Sequence, residues 1–268
     1  KIAYLCSTMQ RYFIKFSYDG TNYHGWQIQP NGITVQEVLE KALSTLLRSK
    51  TGVVGAGRTD SGVHARTMFA HFDCSEEAID CKQLCYKLNR LLPRDVAVTA
   101  VFPVGNELHA RFSATSRTYH YYMHHGRNPF LKAYSCEMPY VLDYDRMNKA
   151  ASYLVGEHDF KCFCKAGGDN KTTICNLTEA RWERCNTQLS IRDNVEEAGQ
   201  WCFVITANRF LRNMVRAVVG TLVEVGRCRI SPDEFQKIVD HGTRSDAGES
   251  MPGNALFLWD VEYPLYRK

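Results

Sequence analysis

The sequence lacks any apolar run that approaches the roughly 20 residues needed to cross a bilayer. It also lacks a recognisable export signal, because the first ten residues are too short and too weakly apolar for one. We therefore expect a cytoplasmic protein without membrane segments. Met9 would itself serve as the starting residue, so residues 1–8 are either an upstream extension or a remnant of cloning, and they are left out of the fold.

Motifs for metals and for disulfide frameworks are also scarce. The eleven cysteines are odd in number, and no export signal accompanies them, which favours reduced thiols in a cytosolic protein. A zinc site at Cys162, Cys164, Cys175 and Cys185, with His158, is the alternative. Structural zinc sites usually show two C-x₂₋₄-C pairs, whereas these cysteines form one C-x-C and two isolated residues. We expect no metal.

Acidic residues are missing from two long segments, although the net charge of the 268-residue chain is only +4. Neither 108–132 nor 203–223 contains an acid, and both are rich in arginine. Basic clusters on a balanced chain are typical of proteins that bind a polyanion, although each segment alone fits a solvated basic face equally well. Arg209, Arg212 and Arg216 fall near the start of a predicted helix, where the helix dipole disfavours cations, so we expect a compensating anion there.

The pattern of apolar residues predicts an α+β protein. The first half shows the order β-α-β-β-α-β, typical of a ferredoxin-like fold, and the second half repeats it loosely. Helices are predicted at 34–48, 79–92, 143–156 and 210–226, with a further one from Ser231. We expect two ferredoxin-like halves, 9–109 and 110–268, with mostly antiparallel strands and a cleft between the halves.

The segment GAGRTDSGVHA (55–65) carries three glycines, an arginine and an aspartate between two predicted strands. A dinucleotide fingerprint requires a third glycine at position 60 and a helix afterwards, whereas this chain has Asp60 and a strand-like RTMFAHFD. A Walker loop is excluded because no Gly-Lys-Ser/Thr is present. Two interpretations remain open: a plain turn, or a loop whose glycines let a ligand approach Arg58 and Asp60.

Seven motifs together resemble the TruA-type tRNA pseudouridine synthases. They occur in the family's order from residue 10 to residue 263, and the GRTD loop followed by an MVR helix is highly specific. The motifs are YDGTNYHGWQIQP (18–30), GAGRTDSGVHA (55–65), LNRLLP (88–93), HARFSATSRTYHYY (109–122), GEHDF (156–160), RFLRNMVRAVVGTLVEVG (209–226) and PGNALFL (252–258). The chain departs from the usual pattern at Cys162, at Met251 and in the segment after GVHA.

The resemblance implies the pseudouridine synthase fold, a basic cleft, a homodimer, and conversion of uridine to pseudouridine at positions 38 to 40 of the tRNA anticodon stem-loop. It assigns Asp60 as the catalytic aspartate and Arg58 as the loop arginine that helps displace the target base. Tyr119 corresponds to the tyrosine that packs on the uracil, and Arg216 to the arginine that pairs with the aspartate. The departures fall on none of these four residues.

Pseudouridine formation oxidises nothing and consumes nothing, so we expect no cofactor and no metal. A non-catalytic RNA-binding protein of the same topology is the main alternative, because RNA-recognition sheets also carry aromatic and basic residues. Such a module has no use for a carboxylate on a glycine loop, so Asp60 discriminates between the two. A zinc-dependent base-modifying enzyme is a third interpretation, but the H-x-E…P-C-x-x-C pattern of deaminases is missing.

Overall fold

The computed structural model describes residues 9–75, 79–165, 167, 171–185 and 199–264. The chain separates into two compact units. The first contains the residues up to Thr115 together with those from Asp260 onward, and the second is Ser116–Trp259. No helix among the described residues is both long enough and apolar enough to cross a membrane.

The first unit has the expected β-α-β-β-α-β order. Its elements are β1 (Gln10–Tyr18), α1 (Val35–Leu47), β2 (Val54–Gly55), β3 (His64–Cys74), α2 (Cys81–Leu91) and β4 (Val96–Val104). Strand β1 lies between β3 and β4, and the two-residue β2 pairs with β3; all of these pairs are antiparallel. Phe13, Ile14 and Phe16 of β1 are almost fully buried. A central strand covered on both faces needs such a run of large apolar side chains.

The second unit is also α+β. Its elements are β5 (Ser116–His125), β6 (Cys136–Met138), α3 (Tyr144–Ser152), β7 (Gly156–Asp159), β8 (Ile174–Cys185), β9 (Gln200–Ala207), α4 (Met214–Gly226) and α5 (Pro232–His241). Strands β5, β9, β8 and β7 pair antiparallel in that order, and β6 runs parallel to β5. A last strand, β10 (Leu256–Glu262), contributes residues to both units. The predicted α+β class with mostly antiparallel strands is confirmed.

Helix caps account for several of the boundaries. Thr34 Oγ1 accepts a hydrogen bond from the Glu37 backbone N–H at 3.4 Å, which starts α1 where the sequence predicts. Ser231 and Glu234 form a reciprocal capping box that starts α5. The structure differs at α4, which begins at Met214 and not at residue 210. Asn213 has φ 65° in the left-handed region, so the helix cannot extend through it.

Short and peripheral strands were harder to predict. The alternation of apolar and polar residues does not predict β6 or β7, which have three and four residues. The sequence also predicts a strand near 174–192. The structure contains β8 (Ile174–Cys185) there, and the remaining predicted positions from 186 lie outside the described residues. Segments this short carry too few alternations for a period-2 pattern to stand out.

Candidate active site

The glycine loop connects two antiparallel strands. Gly55 ends β2 and His64 begins β3, and the two strands pair with Gly55 opposite Ala70. The Ala56 backbone N–H donates to the Phe69 carbonyl at 2.8 Å, which extends this pairing by one residue. Because the loop leads into a strand and not into a helix, it presents no helix N-terminus to a diphosphate, as the sequence analysis expects.

Thr59, the residue before Asp60, is fixed by the preceding segment of the chain. Its buried hydroxyl lies 2.8 Å from the Tyr18 hydroxyl, and its carbonyl accepts from the Trp26 N–H at 3.2 Å. Gly25 approaches so closely, at φ +87°, that a Cβ there would lie 2.5 Å from the Thr59 oxygen. The backbone that carries the carboxylate is therefore fixed on its N-terminal side by a close contact that only glycine permits.

A tight turn fixes the other side of Asp60. The Val63 N–H donates to the Asp60 carbonyl at 3.2 Å, and Gly62 occupies the third position of this turn with φ +74°. A positive φ at that position is the requirement of a type II turn. The Gly62 N–H also donates to the Tyr23 carbonyl at 3.3 Å. Asp60 itself is half-buried, so backbone contacts on both sides orient a carboxylate that solvent still reaches.

The presence of glycine at the three positions of the loop has a different physical explanation in each case. Gly55 packs against Trp26, whose ring would lie 2.6 Å from a Cβ at that position. Gly62 supplies the positive φ of the turn. Gly57 has no described atom within 4 Å of where its Cβ would be, so packing does not require it. Of the three, Gly57 best fits the expectation that the loop lets a ligand approach closely.

Arg58 lies on the same loop, exposed to solvent, and its guanidinium makes no hydrogen bond or ion pair with the described residues. Holding an arginine outward without an ion-pair partner suits a group that contacts an anionic or stacked ligand. Arg58 and Asp60, two residues apart, are therefore presented together by one loop of the first unit.

Tyr119 and Arg216 lie in the second unit. Tyr119 stands on β5 opposite Ile205 and is only 9% exposed. Its ring meets that of Phe210 edge-to-face, with centroids 5.0 Å apart at 86°, and this contact holds the tyrosine ring in one orientation.

Arg216 lies in the first turn of α4, and its Nε donates to the Met251 carbonyl at 2.5 Å. Arg209 and Arg212 precede the helix, so Arg216 is the member of this group that lies at its positive end. Asp60 and Arg216 belong to different units, and their pairing stays a prediction.

Two further arginines of the acid-free segments have contacts that suggest their roles. Arg117 donates from Nη1 to the Asn208 carbonyl at 2.8 Å, so at least part of its role is structural. Arg111 lies with its guanidinium carbon 5.6 Å from the centroid of the Phe112 ring, and Phe112 is 76% exposed. An exposed aromatic ring beside an arginine is a feature that RNA-binding surfaces use to stack bases.

The zinc alternative finds no support among the described residues, which contain no group of three or more histidine, cysteine or acidic side chains able to hold a metal. Cys162 and Cys175 are buried, and burial raises the pKa of each thiol to about 11.

A cavity of about 290 Å³ lies in the second unit, and none of the four predicted residues lines it. Aromatic residues and the carboxylates Asp143 and Asp145 line it. Two carboxylates repel a phosphate-bearing ligand, so this cavity does not suit RNA.

Sequence reasoning missed the residues that hold the site in place. Tyr18, Gly25 and Met251 act through a hydroxyl, a missing Cβ and a carbonyl, all of which contact partners distant in sequence. The only signal in the sequence is the density of glycines around positions 20–32 and 55–62. This density indicates that two backbones approach closely, but it does not identify the residues in contact.

Comparison with known proteins identifies the class to which this fold and loop belong. The family profile described as tRNA pseudouridine synthase matches residues 14–113 and 150–264, so the chain belongs to the tRNA pseudouridine synthase family. The resemblance of its motifs to that family is confirmed.

Relatives from several bacteria match over nearly the whole chain. One from Bacteroides fragilis is 52% identical over 257 residues, which cover 96% of this chain and 98% of the relative. One from Bacteroides thetaiotaomicron is 53% identical over 256 residues, covering 96% and 91%. A third, from Bacillus licheniformis, is 39% identical over 251 residues, covering 92% and 96%. All three carry the name tRNA pseudouridine synthase A.

Proposed function

We propose that this chain is an isomerase that converts uridine to pseudouridine at positions 38 to 40 of the tRNA anticodon stem-loop, with Asp60 as the essential carboxylate. The observation that carries the proposal is the loop of the first unit, where contacts on both sides of Asp60 hold the carboxylate in place beside an exposed Arg58. Membership of the pseudouridine synthase family supports the same assignment.

The reaction needs few groups. The C1′–N1 glycosidic bond breaks, the uracil turns, and its C5 joins C1′, so no electron is gained or lost and no reagent is consumed. One protein group has to engage the substrate covalently or hold charge at the sugar while the base is detached, and a carboxylate can do either. We assign this role to Asp60.

The other three residues bind and orient the substrate. A carboxylate enclosed with its substrate resists ionisation, and a nearby guanidinium opposes that effect, which is the role proposed for Arg216. The target uridine lies in or beside a base-paired stem and must be extruded at a cost of a few kcal/mol. Arg58 is proposed to fill the vacated stack or to bind its neighbours, and Tyr119 to offer its face to the flipped uracil.

The same proposal has implications for the tRNA-binding surface, the oligomeric state and the location of the enzyme. The acid-free segments 108–132 and 203–223 would contribute to a basic cleft that binds the phosphates of tRNA. The resemblance to the family supports a homodimer, and we expect the enzyme to act on its tRNA substrate in the cytoplasm.

The test uses an unmodified tRNA transcript with uridines at and around positions 38 to 40. The full-length chain is incubated with it in the presence of a chelator, and pseudouridine is mapped at nucleotide resolution. Asp60→Ala should abolish conversion while tRNA binding persists, because binding depends on phosphates; Arg216→Ala should remove most of the activity. Asp145→Ala, which removes an exposed carboxylate from α3, is the matched control and should convert tRNA normally.

Two results would contradict the proposal. Conversion that survives in Asp60→Ala would show that the carboxylate has another role. Binding of tRNA by the wild type without any conversion would favour the non-catalytic RNA-binding alternative.

A further inference from the structure

The segment that follows α5 crosses α4 in direct contact with its backbone. We name residues 244–252 the strap. A Cβ on Gly220 of α4 would lie 1.8 Å from the Glu249 carbonyl oxygen, so the two backbones meet without a side chain between them. The Gly248 N–H donates to the Thr221 hydroxyl at 2.8 Å. The strap therefore has one position along the helix, set by contacts that leave no room for sliding.

Arg244 organises the strap from within. Its Nη1 donates to the carbonyls of Ala247 and Gly248 at 3.3 and 3.1 Å, and its Nη2 donates to Ser250 Oγ at 3.1 Å. The same Ser250 oxygen accepts from Asn213 Nδ2 at 2.5 Å. Because Asn213 immediately precedes α4, Ser250 links the strap to the start of the helix that carries Arg216.

The next residue of the strap contacts Arg216 twice. The Met251 N–H donates to the Arg216 carbonyl at 3.1 Å, and the Met251 carbonyl accepts from Arg216 Nε at 2.5 Å. A guanidinium is a rigid plane with donors in fixed directions, so anchoring Nε sets the direction in which the two Nη groups point. A backbone carbonyl is a firmer anchor than a side chain, because it has no rotamer of its own.

We propose that Arg244, acting with Ser250, is a positioning residue that fixes the Arg216 guanidinium for the isomerisation. The inference rests on the proposed function and extends it to residues that do not touch the substrate. Without Arg244 the strap loses the three hydrogen bonds that hold Ala247, Gly248 and Ser250, directly before Met251. We expect the Met251 carbonyl, and with it the Arg216 guanidinium, to sample a wider range of positions even though the contacts with α4 remain. A misplacement of about 1 Å near reacting atoms costs up to roughly 100-fold in rate.

The experiment measures single-turnover pseudouridine formation and tRNA affinity for Arg244→Ala, Ser250→Ala and Ser250→Thr. We expect the rate constant to fall about 10- to 100-fold in the two alanine variants, while the Kd for tRNA stays within about threefold. Ser250→Thr keeps the hydroxyl and should recover most of the rate.

Two control variants separate positioning from simple loss of charge or stability. Arg227→Ala removes a half-buried arginine directly after the end of α4, about 16 Å along the helix axis from Arg216. Asn148→Ala removes the side chain that bonds both the N–H and the carbonyl of Trp182, which ties α3 to β8. Both should lower thermal stability while leaving the rate constant within about twofold of the wild type at 25 °C.

The double variant Arg216→Ala/Arg244→Ala decides whether Arg244 acts through Arg216. If it does, Arg244→Ala has no further effect in the Arg216→Ala background. Additive losses, or a wild-type rate in both Arg244→Ala and Ser250→Ala, would overturn the inference while leaving the proposed function intact. A wild-type chain that forms no pseudouridine would refute the proposed function, and the inference with it. If the Arg244→Ala variant does not fold, Ser250→Ala alone is used to test the inference.

Discussion

Gly25→Ala should damage catalysis more than it damages the fold. Gly25 has φ +87°, and a Cβ there would face three backbone atoms of the loop around Asp60, at 2.5 Å from Thr59 O, 3.1 Å from Asp60 C and 3.3 Å from Ser61 N. All three belong to main chain, which cannot rotate away as the end of a long side chain would. The substitution should therefore move the loop that carries Asp60.

The structure sets the magnitude of both effects. An L-residue in the left-handed region costs about 1–2 kcal/mol, which corresponds to a fall in Tm of about 2–8 °C for a chain of this size. Relief of a 2.5 Å contact to the ordinary limit of 3.4 Å needs a displacement of about 0.9 Å. A shift of this size at the proposed catalytic carboxylate should lower kcat/KM about 100-fold.

The assay is pseudouridine formation on the tRNA transcript at 25 °C, with Tm measured by circular dichroism to confirm that the variant is folded. Gly52→Ala is the control, because Gly52 is exposed, has no positive φ, and would place its Cβ 3.8 Å from the Glu40 carboxylate, which is an ordinary van der Waals distance. A folded Gly25→Ala enzyme with kcat/KM within threefold of the wild type would refute the reasoning that Gly25 sets the position of Asp60.

Two other predictions concern the first unit. Burial lowers the pKa of His71 to about 4, so the folded protein keeps this ring neutral while the unfolded chain takes up a proton below its ordinary value of 6.5. The free energy of unfolding should therefore fall as the pH drops from 6.5 towards 4. The urea concentration at the midpoint of unfolding should decrease less between pH 7 and pH 5 for His71→Gln than for the wild type. Phe112→Ala should weaken tRNA binding about 5- to 150-fold, since base–aromatic stacking contributes about 1–3 kcal/mol. Phe112→Trp should retain affinity, and an unchanged Kd in Phe112→Ala would exclude a stacking role.

Much of the secondary structure could be predicted because its signals are local. The Thr34 cap, the Ser231 capping box and the apolar face of α1 all lie within a few residues of the element they define. The start of α4 could not be predicted in this way. Positions 210–213 fit an apolar helical stripe, but Asn213 adopts a left-handed conformation, and its side chain contacts Ser250, 37 residues away.

The candidate site shows the same difference between local signals, which the sequence reveals, and long-range contacts, which it does not. Arg58 and Asp60 stand on a recognisable motif, and the sequence analysis placed them on one loop between two strands. The positions of their supports depend on contacts between segments far apart in the chain. Tyr18 reaches Thr59 across 41 residues, and Met251 reaches Arg216 across 35. A periodic pattern of apolar residues does not show which distant residues contact each other. Every residue has a backbone carbonyl, so the sequence does not show which carbonyl will accept a hydrogen bond.

The isomerisation consumes no reagent, so its acceleration has to come from orientation and electrostatics. In both units the proposed catalytic group is oriented by main-chain atoms. The turn closed by Gly62 and the contact with Gly25 fix the backbone of Asp60, and the Met251 carbonyl fixes Arg216. Main-chain anchors have no rotamers to sample, so they hold geometry more tightly than side-chain anchors do. Substitutions that displace these backbones should therefore cost nearly as much activity as removal of the side chains they orient.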